Sequence, residues 1–421
     1  METSGINLIP QSVHVTTPSK KSPISSKLFV LCATLAAAAL LIFFIFYPIL
    51  DGQPQHCVYL LQLCLGIGLL QKSWWHYRIR QRFLAPMEAS LTPHFRDAGF
   101  NENESDVCGR MEPSAYAVTF FIDRYMGDVR CAAVIFALLA ASIAAAVAVA
   151  VATYTEDSLT VCAAVGCFSG MLCACFAPTP GDGVSILVQE GALTMTAMNS
   201  IIVNYTGSEL ELAIVDYLFV ALVGWVIIVI SRIIASKKLL KCLLMVALDT
   251  TALLHVTIVM MEIVHYVNHP LANTLPHEFS AFIVTIACAE SGHYLFSAVT
   301  TQWLRYNFDR WIITYPRVYA ALDLIVSVMF SAAGMSIWMQ WIYAMHLSTW
   351  SAVALIVAAA LSYAGRSIMT LTYETAMVLP WYCSTFTVWN NGMMELLNPF
   401  LVGWIIFNPY IKNSFEAEPC Y

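Results

Sequence analysis

The chain has 421 residues, of which 59% are hydrophobic and 11% charged, with a formal net charge of −7. Soluble domains average about 25% charged residues, and a chain this poor in charge cannot cover a water-facing surface, so lipid must be a large part of its solvent. The acidic balance leaves no basic footprint for nucleic acid. These numbers predict an all-α fold: a polytopic integral membrane helix bundle of about 10–11 transmembrane helices.

In chain order, residues 1–27 are polar, rich in Ser, Thr and Pro, and basic at Lys20, Lys21 and Lys27. They read as a disordered cytosolic tail without the short apolar core of a cleaved signal peptide. Apolar runs long enough to span follow near 28–50, 56–72, 131–153, 158–178, 212–234, 242–266, 279–304, 318–341, 349–371 and 376–408. Residues 184–203 form a weaker candidate, interrupted by Gln189 and Glu190. The Lys- and Arg-rich short segments alternate with uncharged ones only if 184–203 also crosses, which favours eleven crossings with a cytosolic N-terminus.

The expected organisation is a tail at 1–27, a transmembrane pair at 28–75 and a cytosolic loop at 76–130. Middle transmembrane helices follow at 131–234, then a C-terminal transmembrane domain at 235–410 and a tail at 411–421. Most of the thirteen cysteines lie in apolar runs and read as small hydrophobes. No disulfide framework and no cofactor are expected.

Ionisable groups inside spans cost about 2.5–3.5 kcal/mol on insertion scales unless they face partners or water. The N-terminal runs hold almost none. The C-terminal half carries Asp249, His255, Glu262, His265, Glu290, His293, Asp323, Arg366 and Glu374, so a site is expected between residues 245 and 400. At 100° per residue, His255, Glu262 and His265 form one polar stripe. Glu262-x-x-His265 and Glu290-x-x-His293 have the spacing used by di-iron helix bundles. Such a centre needs two more bridging carboxylates, so interhelical hydrogen bonds are the better expectation and no metal site is assigned.

Three colinear segments carry a family resemblance. The first runs from Gln302-Trp303 through Asp309-Arg310-Trp311 to Tyr319, Asp323 and Gly334-x-x-x-Trp338. The second is Ser362-Tyr363-x-Gly365 through Thr372-Tyr373-Glu374. The third is Pro380-Trp381-Tyr382 through Phe386, Val388, Asn390-Asn391 and Pro399. Together with His255 upstream, they resemble the emopamil-binding protein family of sterol Δ8–Δ7 isomerases and the wider EXPERA superfamily, over about residues 300–402. The long chain is also similar to the transmembrane six superfamily. Val259 stands where that family has a glutamate, Asp323 where it has a longer acid, and Met394 where it has a tryptophan.

The resemblance implies a membrane protein of the endoplasmic reticulum that binds a sterol or another lipid, or shifts a ring double bond through a carbocation. It implies Asp323, His255 and Glu374 as catalytic groups. Asn391, Glu262, Tyr363, Trp311, Tyr382 and Phe386 would be its substrate-binding residues. One proton must be delivered and another removed, which suits a buried acid beside a second polar group; aromatic faces suit the cation. A non-catalytic lipid-handling or regulatory protein of the same fold, and a transporter or channel, remain the other readings.

Overall fold

The computed structural model describes residues 54–91, 114, 117–126, 130–152, 157–206, 215–236, 238–267, 276–300, 316–341, 349–376 and 393–417. The regular elements among them are all helical. They are α1 (Pro54–Leu91), α2 (Val118–Met126), α3 (Arg130–Ala152), α4 (Asp157–Cys175), α5 (Pro180–Thr206) and α6 (Tyr217–Ala235). A long helix α7 runs as Leu239–Ala252, passes through a π turn at Leu253–Thr257 and continues as Ile258–Val267. α8 (Pro276–Ala298), α9 (Pro316–Trp341), α10 (Thr349–Ala376) and α11 (Met393–Ala417) complete the set. Nine of these helices are long and apolar enough to cross a membrane by length and composition. The chain is therefore an all-α polytopic integral membrane helix bundle. The expected first span at 28–50 lies outside the described residues.

The helix ends follow from local chemistry. Pro180 occupies the first position of α5, where its missing N–H costs nothing. Ahead of it, Thr179 gives its hydroxyl to Asp182 Oδ2 (2.7 Å) and its Oγ1 accepts the Asp182 N–H (3.2 Å), closing a reciprocal cap. Asp216 caps α6 by accepting the Leu218 N–H at 3.1 Å.

Two expectations change in the structure, and a third gains its physical reason. Helix α1 does not end at residue 75 but continues to Leu91, so the first part of the expected loop 76–130 is helical. Trp75, His76, Ile79 and Arg80 are buried in the bundle. That loop also contains α2. Residues 184–203 lie in α5, where Gln189 and Glu190 are almost wholly buried, so the interruption in the apolar run faces other helices. The expected tail at 411–421 begins as helix, since α11 runs to Ala417.

The core is aromatic around α11. Trp404 and Phe407 are fully buried; Phe282 stacks on Phe407 at 5.2 Å and meets Trp404 edge-on at 5.5 Å. Close backbone approach holds α10 to α11: a Cβ added at Gly365 would stand 3.0 Å from the Asn398 carbonyl oxygen and 3.2 Å from Pro399 Cα. Membrane helices gain their packing from such small residues, because lipid gives them little hydrophobic drive to associate. Gly365→Leu should therefore lower the thermal unfolding midpoint of the detergent-solubilised protein, at a cost of about 1–3 kcal/mol. An unchanged midpoint would show that the two backbones are not held this close.

Candidate functional site

The polar side chains collect at one end of the bundle. Successive helices run antiparallel there, so the end of α1, the start of α5, the end of α6 and the start of α7 fall together. Arg80 Nη2 meets Asp182 Oδ2 at 2.5 Å, and Asp182 Oδ1 meets Arg232 Nη2 at 2.7 Å. Arg232 then forks onto Asp249, with Nε to Oδ2 at 2.6 Å and Nη2 to Oδ1 at 3.1 Å. Two positive and two negative groups alternate through four helices, and none of the side chains is more than 8% exposed. Mutual pairing is what lets them leave water. Beside them Lys72, Ser73, His76, Ser185 and Gln189 line a cavity of about 10 Å³, room for about one water.

A second set of contacts runs inward from this network. Gln189 donates to Ser185 Oγ at 3.0 Å and accepts from the Thr257 hydroxyl at 2.7 Å. Thr257 and His255 both lie in the π turn of α7. His255 Nε2 stands 2.5 Å from Asn398 Oδ1, and Asn398 donates its amide to the Gly365 carbonyl at 3.0 Å. With the amide NH2 so committed, Asn398 offers its oxygen, and Nε2 is the protonated nitrogen of His255. π turns often mark functional positions; here the wider turn helps place Asp249, His255 and Thr257 against different neighbours.

A third group joins α8, α9 and α10. Arg366 forks onto Glu290, with Nη2 to Oε1 at 2.7 Å and Nε to Oε1 at 3.1 Å. Its guanidinium lies 5.4 Å from the Tyr363 ring centroid. Both oxygens of Asp323 stand 2.8 Å from His293 Nδ1. The Asp323 side chain is 3% exposed and that of His293 is 24% exposed. Tyr363 lies beside Asp323 as well as Arg366.

The expected site residues distribute as follows. Asp323 and Tyr363 come together, with His293 as the imidazole partner. His255 takes a different partner, Asn398, because the π turn belongs to α7 and faces α11. Glu262 receives the Tyr217 hydroxyl at 3.5 Å, and Glu290 and His293 are engaged by Arg366 and Asp323. Among the described residues no group of three His, Cys, Asp or Glu side chains could hold a metal ion. Glu374 lies on α10 with its side chain outside the described residues, and Trp311, Tyr382, Phe386 and Asn391 lie outside them altogether. Neither the water-sized cavity nor an open apolar groove of about 510 Å³ between α2 and α3 is lined by Asp323, His255 or Tyr363.

The chain matches no family model, no curated protein and no solved structure.

Sequence reasoning missed His76, Arg80 and Asp182 as bundle residues and gave Lys72 and Arg232, at the ends of apolar runs, no role, because charge there reads as loop. The spacing of Lys72, His76 and Arg80, four apart on one helical face, was the available signal. Asn398→Leu removes the acceptor of His255 and the donor to Gly365 together, and should destabilise the purified protein by about 1–2 kcal/mol. Adding His255→Leu should cost less in that background than in the wild type, read as unfolding midpoints. Simple additivity would contradict the contact.

Proposed function

We propose that this protein works on a membrane-dissolved lipid at the His293–Asp323–Tyr363 group, by proton transfer at the ligand or by binding it. The His293–Asp323 pair supports this reading. A buried carboxylate faces one edge of an imidazole, and a quarter of that imidazole is exposed at the side of a membrane-spanning helix. Such a pair holds one proton between two groups, so it can deliver a proton and then take another back. Tyr363 adds a hydroxyl beside the carboxylate, and the Arg366–Glu290 fork holds α10 against α8 at the same depth.

The ligand class comes from the resemblance to the emopamil-binding family. A sterol ring is the first candidate, and the endoplasmic reticulum is the membrane where such a reaction would occur. In this reading His293 takes the place expected of His255, while Asp323 and Tyr363 keep theirs. Binding without turnover is the non-catalytic form of the same proposal.

A transport reading is favoured by one separate feature. The π turn widens α7 within a span, next to the buried charges of α1, α5 and α6. π turns often mark functional positions, and ionisable residues inside a helix bundle often mark ion or substrate paths.

Expression in yeast lacking its own Δ8–Δ7 sterol isomerase tests the first reading. Wild-type protein should restore Δ7 sterols; Asp323→Asn and His293→Ala should each reduce that product by about 100-fold or more at equal membrane levels. Absence of rescue, with saturable binding of a sterol-like cationic amine that Asp323→Asn abolishes, would leave binding alone. Absence of both would overturn the proposal.

A further inference from the structure

Away from these contacts, α5 carries a buried carboxyl group that no basic side chain pairs with among the described residues. Glu190 is 1% exposed, and neither Oε1 nor Oε2 has a hydrogen-bond partner among the described residues. The side chain lies against α4, where a Cβ added at Gly170 would meet Glu190 Cγ at 3.1 Å. Ser169 stands beside the carboxylate, but its hydroxyl is directed to the Gln62 carbonyl at 3.3 Å. The other ionisable neighbours are the thiols of Cys64, Cys162, Cys167 and Cys173.

Gln62 of α1 belongs to the same place. It is fully buried, and its amide nitrogen donates to Thr194 Oγ1 at 3.1 Å and to the Cys162 carbonyl at 3.2 Å, while its Oε1 has no partner. The Thr194 hydroxyl is given to the Glu190 carbonyl at 2.9 Å, so a lone pair of Oγ1 remains. Apart from the weakly donating thiols, the three helices present acceptors: two carboxylate oxygens, one amide oxygen and two hydroxyl oxygens whose hydrogens are directed to backbone carbonyls.

A set of hard oxygens carrying one negative charge is the donor set of a hard cation. Charge selects a monovalent ion, because a divalent ion would leave a net positive charge in hydrocarbon. Close packing of the three helices favours a small one. A Cβ at Gly66 would stand 2.3 Å from Ser169 Oγ, and one at Gly166 would stand 2.0 Å from Thr194 Oγ1. Helices α1, α4 and α5 are therefore drawn together as closely as glycine allows. We infer that Glu190, Gln62, Ser169 and Thr194 bind a sodium ion between α1, α4 and α5. Gln189, the residue before Glu190, holds the π turn of α7 through Thr257, so an ion here also steadies the contact between α5 and α7.

The test is thermal unfolding of the full chain in detergent, at mildly alkaline pH and constant ionic strength, in sodium, potassium or choline chloride. Sodium should raise the midpoint saturably, on the order of a few degrees above the other two salts. Glu190→Gln should abolish the difference. Ser169→Ala should raise the sodium concentration at half-effect by about tenfold. Equal midpoints for the wild type in all three salts would overturn the inference and leave a carboxyl neutralised by a proton. A sodium response retained in Glu190→Gln would overturn it equally. Should that variant fail to fold, the wild-type comparison and Ser169→Ala still decide.

Discussion

The structure depends on the alternation Arg80–Asp182–Arg232–Asp249. A single charge in hydrocarbon costs several kcal/mol, and two arginines and two aspartates could not lie this deep unless each faced an opposite charge. That requirement fixes much else. It draws the second half of α1 into the bundle, because Arg80 must reach Asp182. It sets α5 to begin at Pro180, with Thr179 holding Oδ2 of Asp182, the oxygen that Arg80 also meets. It ties the last turn of α6 to α7, since Arg232 must reach Asp249. A Cβ at Gly181 would stand 2.7 Å from Arg232 Nη1, so even the backbone near the cap gives way to the guanidinium.

From this network the polar contacts pass inward through particular side chains. Gln189 touches both the first cavity and the π turn, and the π turn carries His255 to Asn398, which holds α10 through Gly365. One residue further along α10, Arg366 engages Glu290, one turn from His293 and its partner Asp323. Structure and candidate chemistry are therefore built from the same material. His293 is the more open member of its pair, with a side chain 24% exposed against 3% for Asp323.

Much of the fold could be read from apolar run length alone, because a span needs about 20 apolar residues and little besides helix satisfies the backbone in lipid. The run at 184–203 was legible as a crossing only through the alternation of charged loops, since Gln189 and Glu190 break its hydropathy. Polar residues that face other helices are invisible to a hydropathy window. For the same reason His76 and Arg80 read as loop, although their spacing from Lys72 places them on one helical face. The candidate site was half legible. Asp323 and Tyr363 were named, and Glu290 and His293 were noticed as a pair. Their partners depend on which helices lie side by side, and spacing along one helix does not contain that information. The π turn, which decides where His255 points, leaves no mark in residue type.

A double-mutant cycle on Arg232 and Asp249 tests the central claim most directly. Thermal unfolding of Arg232→Met, Asp249→Leu and the double variant in detergent should show each single change costing about 3–5 kcal/mol, because it strands a buried charge. The double variant should fall short of their sum by about 1–3 kcal/mol. Single effects below about 1 kcal/mol that simply add would contradict the account, since they would mean that the two charges reach water and that the bundle does not depend on their pairing.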